Sequence, residues 1–242
     1  MKYSSRTFVS GMLVLLLLCP LVTSAQWKKK PASGWSKDDV EKVLNESPWG
    51  ITQTFTNNAA MFREFPNQQP NTAVNTISVP NATHIDFRVR FLSAKPIRLA
   101  VKRMMELAQK DKMSPELASS LETFVNGEFL EYIIVTVMVE SKQQGVNFSE
   151  AIGLLQTSNT VNLKNTTFLE LKDGKRVFLQ EYQTPRSDGL GARFIFPRMV
   201  DGKPFIMPDS QEVRFVSELS GSYVLNRRFK VKDMMYEGKL EF

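Results

Sequence analysis

The chain has 242 residues, 42% of them apolar and 23% charged, and carries a net charge of +6 at neutral pH. That balance fits one or two globular domains and argues against a disordered or collagen-like chain. With one cysteine and one histidine, Cys19 and His84, there is no material for a Cys/His zinc site. A Cys-His or Ser-His-Asp apparatus would have to rest on His84 alone.

Residues 1–25 carry the three parts of a secretory signal. Lys2 and Arg6 come first, an apolar run covers 12–18, and Pro20 precedes Thr23-Ser24-Ala25 at the expected cleavage point before Gln26. The run is shorter than the about 20 residues a spanning helix needs. An uncleaved anchor flanked by Lys28-Lys29-Lys30 is the competing reading, and Leu18 and Pro20 around Cys19 do not suit lipidation. Cleavage would remove two cations, taking the net charge from +6 to +4, together with the lone cysteine. Stability in an oxidising compartment would then come from the core and not from disulfides. The expectation is a periplasmic or secreted protein, with membrane contact at most peripheral.

Residues 26–34 (QWKKKPASG) read as a flexible N-terminal segment. Ser36, with Asp39 three positions on, predicts a capped helix that ends near Asn45, ahead of Pro48. A short strand over 51–56 leads into a long Asn-, Gln- and Pro-rich connection from Asn57 to Ala82. Alternation over 84–92 (HIDFRVRFL) predicts a half-buried strand, with Ile85, Phe87, Val89 and Phe91 inward and Asp86, Arg88 and Arg90 outward. Helices follow from Pro96 to about Lys110 and from Ser114 to Gly127. The apolar, β-branched run over 130–140 reads as a central strand, and a short helix is expected over 149–156.

Beyond Asn159 the pattern is strands and turns. Asp173-Gly174 joins 166–172 to 175–182 as a hairpin, and Asp201-Gly202 joins 192–198 to 203–207. Strands over 211–219, 223–232 and 234–242 complete the chain. The fold class is α+β, with a mixed or antiparallel sheet, helices in the N-terminal half and a β-rich, sandwich-like C-terminal half. The organisation is a helix-rich region over 35–158 and a β-rich region over 159–242, joined as one unit or standing as two.

Several stretches carry a resemblance: Gly34-Trp35 with Ser47-Pro48-Trp49, then FLSAKPIRLA (91–100), GLGARFIFPR (189–198) and MYEGKLEF (235–242). In these the chain resembles exported proteins of acidobacterial type, a group with no assigned activity. The resemblance implies export and transfers no site residues.

The most suggestive chemistry is basic. Arg88, Arg90, Lys95, Arg98, Lys102 and Arg103 fall between Phe87 and Met105 with no acid among them. Arg88 and Arg90 share a strand face, and Lys95, Arg98 and Lys102 share a helix stripe. Were the strand's end and the helix's start to adjoin, Arg88, Arg90, Lys95, Arg98 and Lys102 would converge as a ligand site for phosphate or carboxylate. The competing reading is a solvated helix face with the strand arginines paired to Asp86.

Catalysis has thinner support. Asp86, Glu140 and Asp233 sit on or beside strands, where paired carboxylates hydrolyse glycans, but each is expected to pair with a nearby cation. No phosphate loop, Ser elbow, EF-hand or His-Glu-x-x-His occurs. Met104-Met105 and Met234-Met235 cannot chelate as adjacent pairs, because neighbouring side chains diverge. The last nine residues alternate towards Phe242 like the final strand of an outer-membrane barrel, although the helical middle does not suit a barrel.

The resulting expectation is an exported, non-catalytic protein that binds an anionic envelope component, a lipid headgroup or acidic glycan, or else an envelope protein. No cofactor, metal or nucleic-acid partner is expected. The alternative is a carboxylate-dependent glycan hydrolase or other envelope enzyme.

Overall fold

Ser36 caps the first helix as its pattern predicts. Its Oγ accepts the Asp39 N–H at 3.2 Å, and the Asp39 carboxylate accepts the Ser36 N–H at 3.0 Å, a reciprocal cap that satisfies two helix-end donors. The computed structural model describes residues 26–57, 83–109, 112–141 and 148–242. The signal-like segment over 1–25 and most of the long connection, residues 58–82, lie outside the described residues.

Helix α1 (Lys37–Asn45) turns directly into β1 (Glu46–Ser47) and β2 (Gly50–Asn57). Gly50 is required there, since a Cβ would collide with the Leu44 carbonyl. Next come β3 (Thr83–Phe91), α2 (Lys95–Gln109), α3 (Pro115–Asn126), β4 (Tyr132–Glu140) and α4 (Ser149–Thr157). A single-turn α5 (Thr160–Leu163) was not foreseen. Asn159 caps it by accepting the Val161 and Asn162 N–H groups.

The hairpin across Asp173-Gly174 forms from β5 (Thr167–Leu171) and β6 (Arg176–Phe178). The strand expected over 175–182 does not run through. The Leu179 N–H still bonds to Thr167 O at 3.0 Å, but the Gln180 N–H bonds to Ile195 O at 2.9 Å. The chain thus changes sheets at this corner and continues as β7 (Glu181–Gln183). Then follow β8 (Ala192–Pro197), a tight hairpin of β9 (Met199–Val200) and β10 (Lys203–Pro204), β11 (Glu212–Glu218) and β12 (Val224–Lys230). Residues 234–242 are not one strand. Glu237 and Gly238 adopt φ of 48° and 78°, which reverses the chain between β13 (Met235–Tyr236) and β14 (Lys239–Leu240). The likeness to a terminal barrel strand ends with that turn.

Among the described residues all strand pairings are antiparallel. The larger sheet has the order β1-β2-β3-β4-β8-β7 and the smaller the order β12-β11-β5-β6. The larger sheet therefore draws strands from both the 35–158 and the 159–242 regions. Its inner face meets the smaller sheet through aromatic contacts: Phe91 lies 4.8 Å from Phe229, and Phe194 and Phe196 lie 5.4 and 6.2 Å from Phe215. On the outer face α1 packs against β2 and β3, with α2 beside α1 and α3 beside α2. From Phe87 to Phe91 strand β3 is consequently buried on both faces rather than half-buried, with Arg88 and Arg90 only 9% and 3% exposed.

Residues 26–34 are also more ordered than a loose tail. Trp27 is buried, stands edge-on to Trp35 and Trp49 at 5.8 and 6.1 Å, and its carbonyl accepts the Trp35 indole N–H at 3.0 Å. Among the described residues, no helix is long and apolar enough to cross a membrane.

The helix cap makes a pH prediction. The Ser36 N–H, the Lys30 ammonium and the Ser36 hydroxyl outweigh burial and hold the Asp39 carboxyl below its ordinary 3.8. A depressed acid contributes fully above its unfolded value and loses the contribution as pH falls through the folded one. Asp39→Asn should therefore cost about 1 kcal/mol at neutral pH. It should also flatten the loss of melting temperature below pH 3.8, as followed by circular dichroism.

Candidate anion-binding site

The structure separates the five predicted cations into two groups. Arg88, Arg90 and Lys102 are tied to protein acceptors, the first two within one network in which Asn45 donates to Glu41 at 2.7 Å, whereas Lys95 and Arg98 reach a common cavity.

Arg88 bridges Glu140 at 2.6 Å and Glu41 at 3.4 Å. Arg90 donates from Nε to Leu44 O at 3.1 Å and from Nη2 to Asn45 Oδ1 at 2.8 Å. It thereby satisfies a carbonyl in the last turn of α1, which has no partner within the helix. Burial, and then the neighbouring Arg88 charge, push the Arg90 guanidinium down to about 10, against the opposing pull of Glu140 and Glu41. Lys102 is held by Glu106 at 2.8 Å and Glu122 at 2.9 Å. Hydrogen bonds to these two carboxylates raise its pKa.

The cavity, about 340 Å³, lies between the start of α2, the α3–β4 connection, the end of β8 and the C-terminal hairpin. Lys95, Arg98, Arg198 and Lys239 line it, against Glu128, Glu237 and Glu241. Arg98 is 5% exposed. Its Nη1 donates to the carbonyls of Gly127 and Phe124, its guanidinium lies 4.7 Å from the Phe129 ring centroid, and its enclosed Nε has no acceptor among the described residues.

Arg198 approaches from the opposite side. It donates to Tyr132 O at 3.4 Å and to the Phe242 backbone oxygen, and it stacks 4.1 Å over the Phe242 ring. Burial pushes its pKa down to about 10; Glu241 opposes the shift, and the Arg98 charge adds to it. Burial also lowers Arg98, again against Glu241. The two guanidiniums thus share one weakly solvated space. The Glu241 carboxylate meets them there while also accepting the Lys95 backbone N–H, at 2.8 Å, on the first turn of α2. Lys95 Nζ lies 3.4 Å from Glu237.

Lys95 and Arg98 were visible in the basic run. Arg198, Lys239 and Glu241 were not, because no local pattern ties β8 or the last turn to α2. Arg198 enters through pairing of β8 with β4, and Glu241 through the reversal at Glu237-Gly238. The carboxylates weighed for catalysis fall elsewhere. Asp86 and Glu140 are direct neighbours across β3 and β4, engaged by Thr54 at 2.5 Å and by Arg88. Asp233 ends a helical turn after β12. His84 Nδ1 is 3.1 Å from Thr56 Oγ1 on an exposed strand end.

No known protein family, curated protein or solved structure matches the chain.

The division of the cations predicts opposite outcomes for two substitutions. Arg90→Met should destabilise the protein by about 3 kcal/mol, since it strips the donor from two enclosed acceptors. Lys102→Ala should cost under about 1 kcal/mol, because its ion pairs are partly solvated. Equal costs in chemical denaturation would remove the distinction.

Proposed function

We propose that this is an exported, non-catalytic binding protein whose Arg98–Arg198 cavity receives a single carboxylate or phosphate group of an envelope component. The observation that carries the reading is the convergence of two largely desolvated guanidiniums on one space. Like charges brought together out of water are costly, and an anion between them offsets that cost with charge-assisted hydrogen bonds. The Glu241 carboxylate, held by the Lys95 backbone N–H at 2.8 Å, acts on both guanidiniums through its charge and offsets part of that cost from within the chain. Lys239, exposed at the mouth, adds attraction at longer range. Export is supported by the signal-like pattern of residues 1–25.

Lipid headgroups and acidic glycans present the same chemistry, so three probes separate them: glycerol 1-phosphate, galacturonate and phosphatidylglycerol vesicles. Calorimetric titration should detect binding of at least one at about 0.1 M salt. That binding should weaken towards about 1 M, as the Debye length falls from about 10 Å to about 3 Å. Arg198→Gln should lower the affinity roughly tenfold or more. Lys239→Glu, which leaves the packing alone, should lower it by a smaller factor. Absence of binding to all three probes at low salt would remove the reading.

A further inference from the structure

The smaller sheet has one face against the core and one towards solvent. Two rows of side chains cross the middle of its solvent face, flanked by the Glu212–Lys230 and Glu218–Val224 pairs, and cross-strand registry fixes which residues lie side by side. One row runs Arg228, Arg214, Glu170, Arg176 across β12, β11, β5 and β6. The adjacent row, two residues along each strand, runs Asn226, Val216, Phe168, Phe178.

Neither row is what a purely solvating face requires. Arg214 and Arg228 stand directly opposite each other, and like charges in that position destabilise a sheet. Glu170 is shared between Arg214 and Arg176, while Arg228 has, among the described residues, a single long ion pair, 3.7 Å to Glu212. Lys230, opposite Glu212, and Lys172, just past β5, bring the face to five cations against Glu170, Glu212 and Glu218. In the apolar row Phe178 is 47% exposed on the edge strand, its ring 5.7 Å from Phe168. The Arg176 guanidinium lies 4.3 Å over Phe168 and links the two rows.

We infer that this face docks an acidic polysaccharide, with a sugar ring laid on Phe178 and its carboxylates on the Arg176–Arg214–Arg228 row. The spacing suits such a chain. Four strands place the ends of the arginine row about 14 Å apart, and the two rows lie about 7 Å apart along the strands. A sugar's apolar face and its carboxylate can therefore meet different rows at once. The cation excess supplies the charge complementarity, and the hydrogen-bonded sheet presents both rows preformed. Single-stranded nucleic acid is the poorer fit. It needs successive stacking platforms along a cationic track, whereas here one ring is already covered by Arg176 and Glu170 sits within the row. A membrane is poorer too, because the rings lie in the sheet rather than on a projecting loop. This surface is separate from the Arg98–Arg198 cavity, so either assignment can fail without the other.

The test is retention of the purified full-length chain in affinity electrophoresis through gels carrying polygalacturonate, with neutral dextran as control. Phe178→Ala and Arg228→Glu both lie at exposed positions where the fold tolerates change, and melting curves check that it does. Each should weaken retention by polygalacturonate about tenfold. Phe178→Tyr should restore it, and Lys102→Ala, which lies on neither this face nor the cavity, should leave it unchanged. No retention by polygalacturonate, or retention indifferent to both substitutions, would overturn the assignment. So would tighter binding of single-stranded DNA or of phosphatidylglycerol vesicles through the same two residues.

Discussion

A central strand covered on both sides has no solvent-facing row on which to keep charge. β3 is such a strand: Phe91 packs on Phe229 of the smaller sheet and Phe87 on Tyr223 just before β12, while α1 lies over Arg88 and Arg90. The cost of enclosing two guanidiniums is met by the end of α1, whose unpaired Leu44 carbonyl and Asn45 side chain accept from Arg90, while Glu41 and Glu140 hold Arg88. The position of α1 follows from this tie. So does the close approach of Gly50, and with it the turn from helix into the first strands. α2 then packs beside α1, which carries Arg98 to the cavity.

Much of this was legible in the residues. The Ser36–Asp39 cap, the Pro115 start of α3 and the β-branched run of β4 act locally, and each stands where its pattern put it. The α+β class followed from helix periodicity in the first half and turn-punctuated strands in the second. Misreadings came where distant chain decides the outcome. Alternation in β3 is the same whether its polar face meets water or a helix, so burial of Arg88 and Arg90 had no local signature. The corner at Leu179–Gln180 depends on Ile195 as an acceptor, and the docking of Trp27 depends on a pocket made with Trp35 and Trp49.

The basic run of 88–103 illustrates the limit most directly. Five cations of like appearance in the sequence have three different fates. Arg88 and Arg90 hold strand to helix, Lys102 joins α2 to α3 through Glu106 and Glu122, and Lys95 and Arg98 open on a cavity. Two of the cavity's four cations, Arg198 and Lys239, lie 100 or more positions from Arg98 in sequence. Arg198 and Glu241 arrive through strand pairing and a reversing turn, and the sequence shows neither as a neighbour of Arg98. The proposal of anion binding accordingly rests on one enclosed pair of arginines rather than on a broad basic face.

The most direct test of that narrowing is to watch the arginines individually. In nitrogen-15 NMR spectra of the side-chain Nε–H groups, addition of glycerol 1-phosphate should shift the Arg98 and Arg198 signals in a saturable way. The Arg88 and Arg90 signals should stay in place, as expected of groups already committed to protein acceptors. Saturable shifts at Arg88 and Arg90, with Arg98 and Arg198 unmoved, would contradict the assignment and return the search to the cleft beside α1.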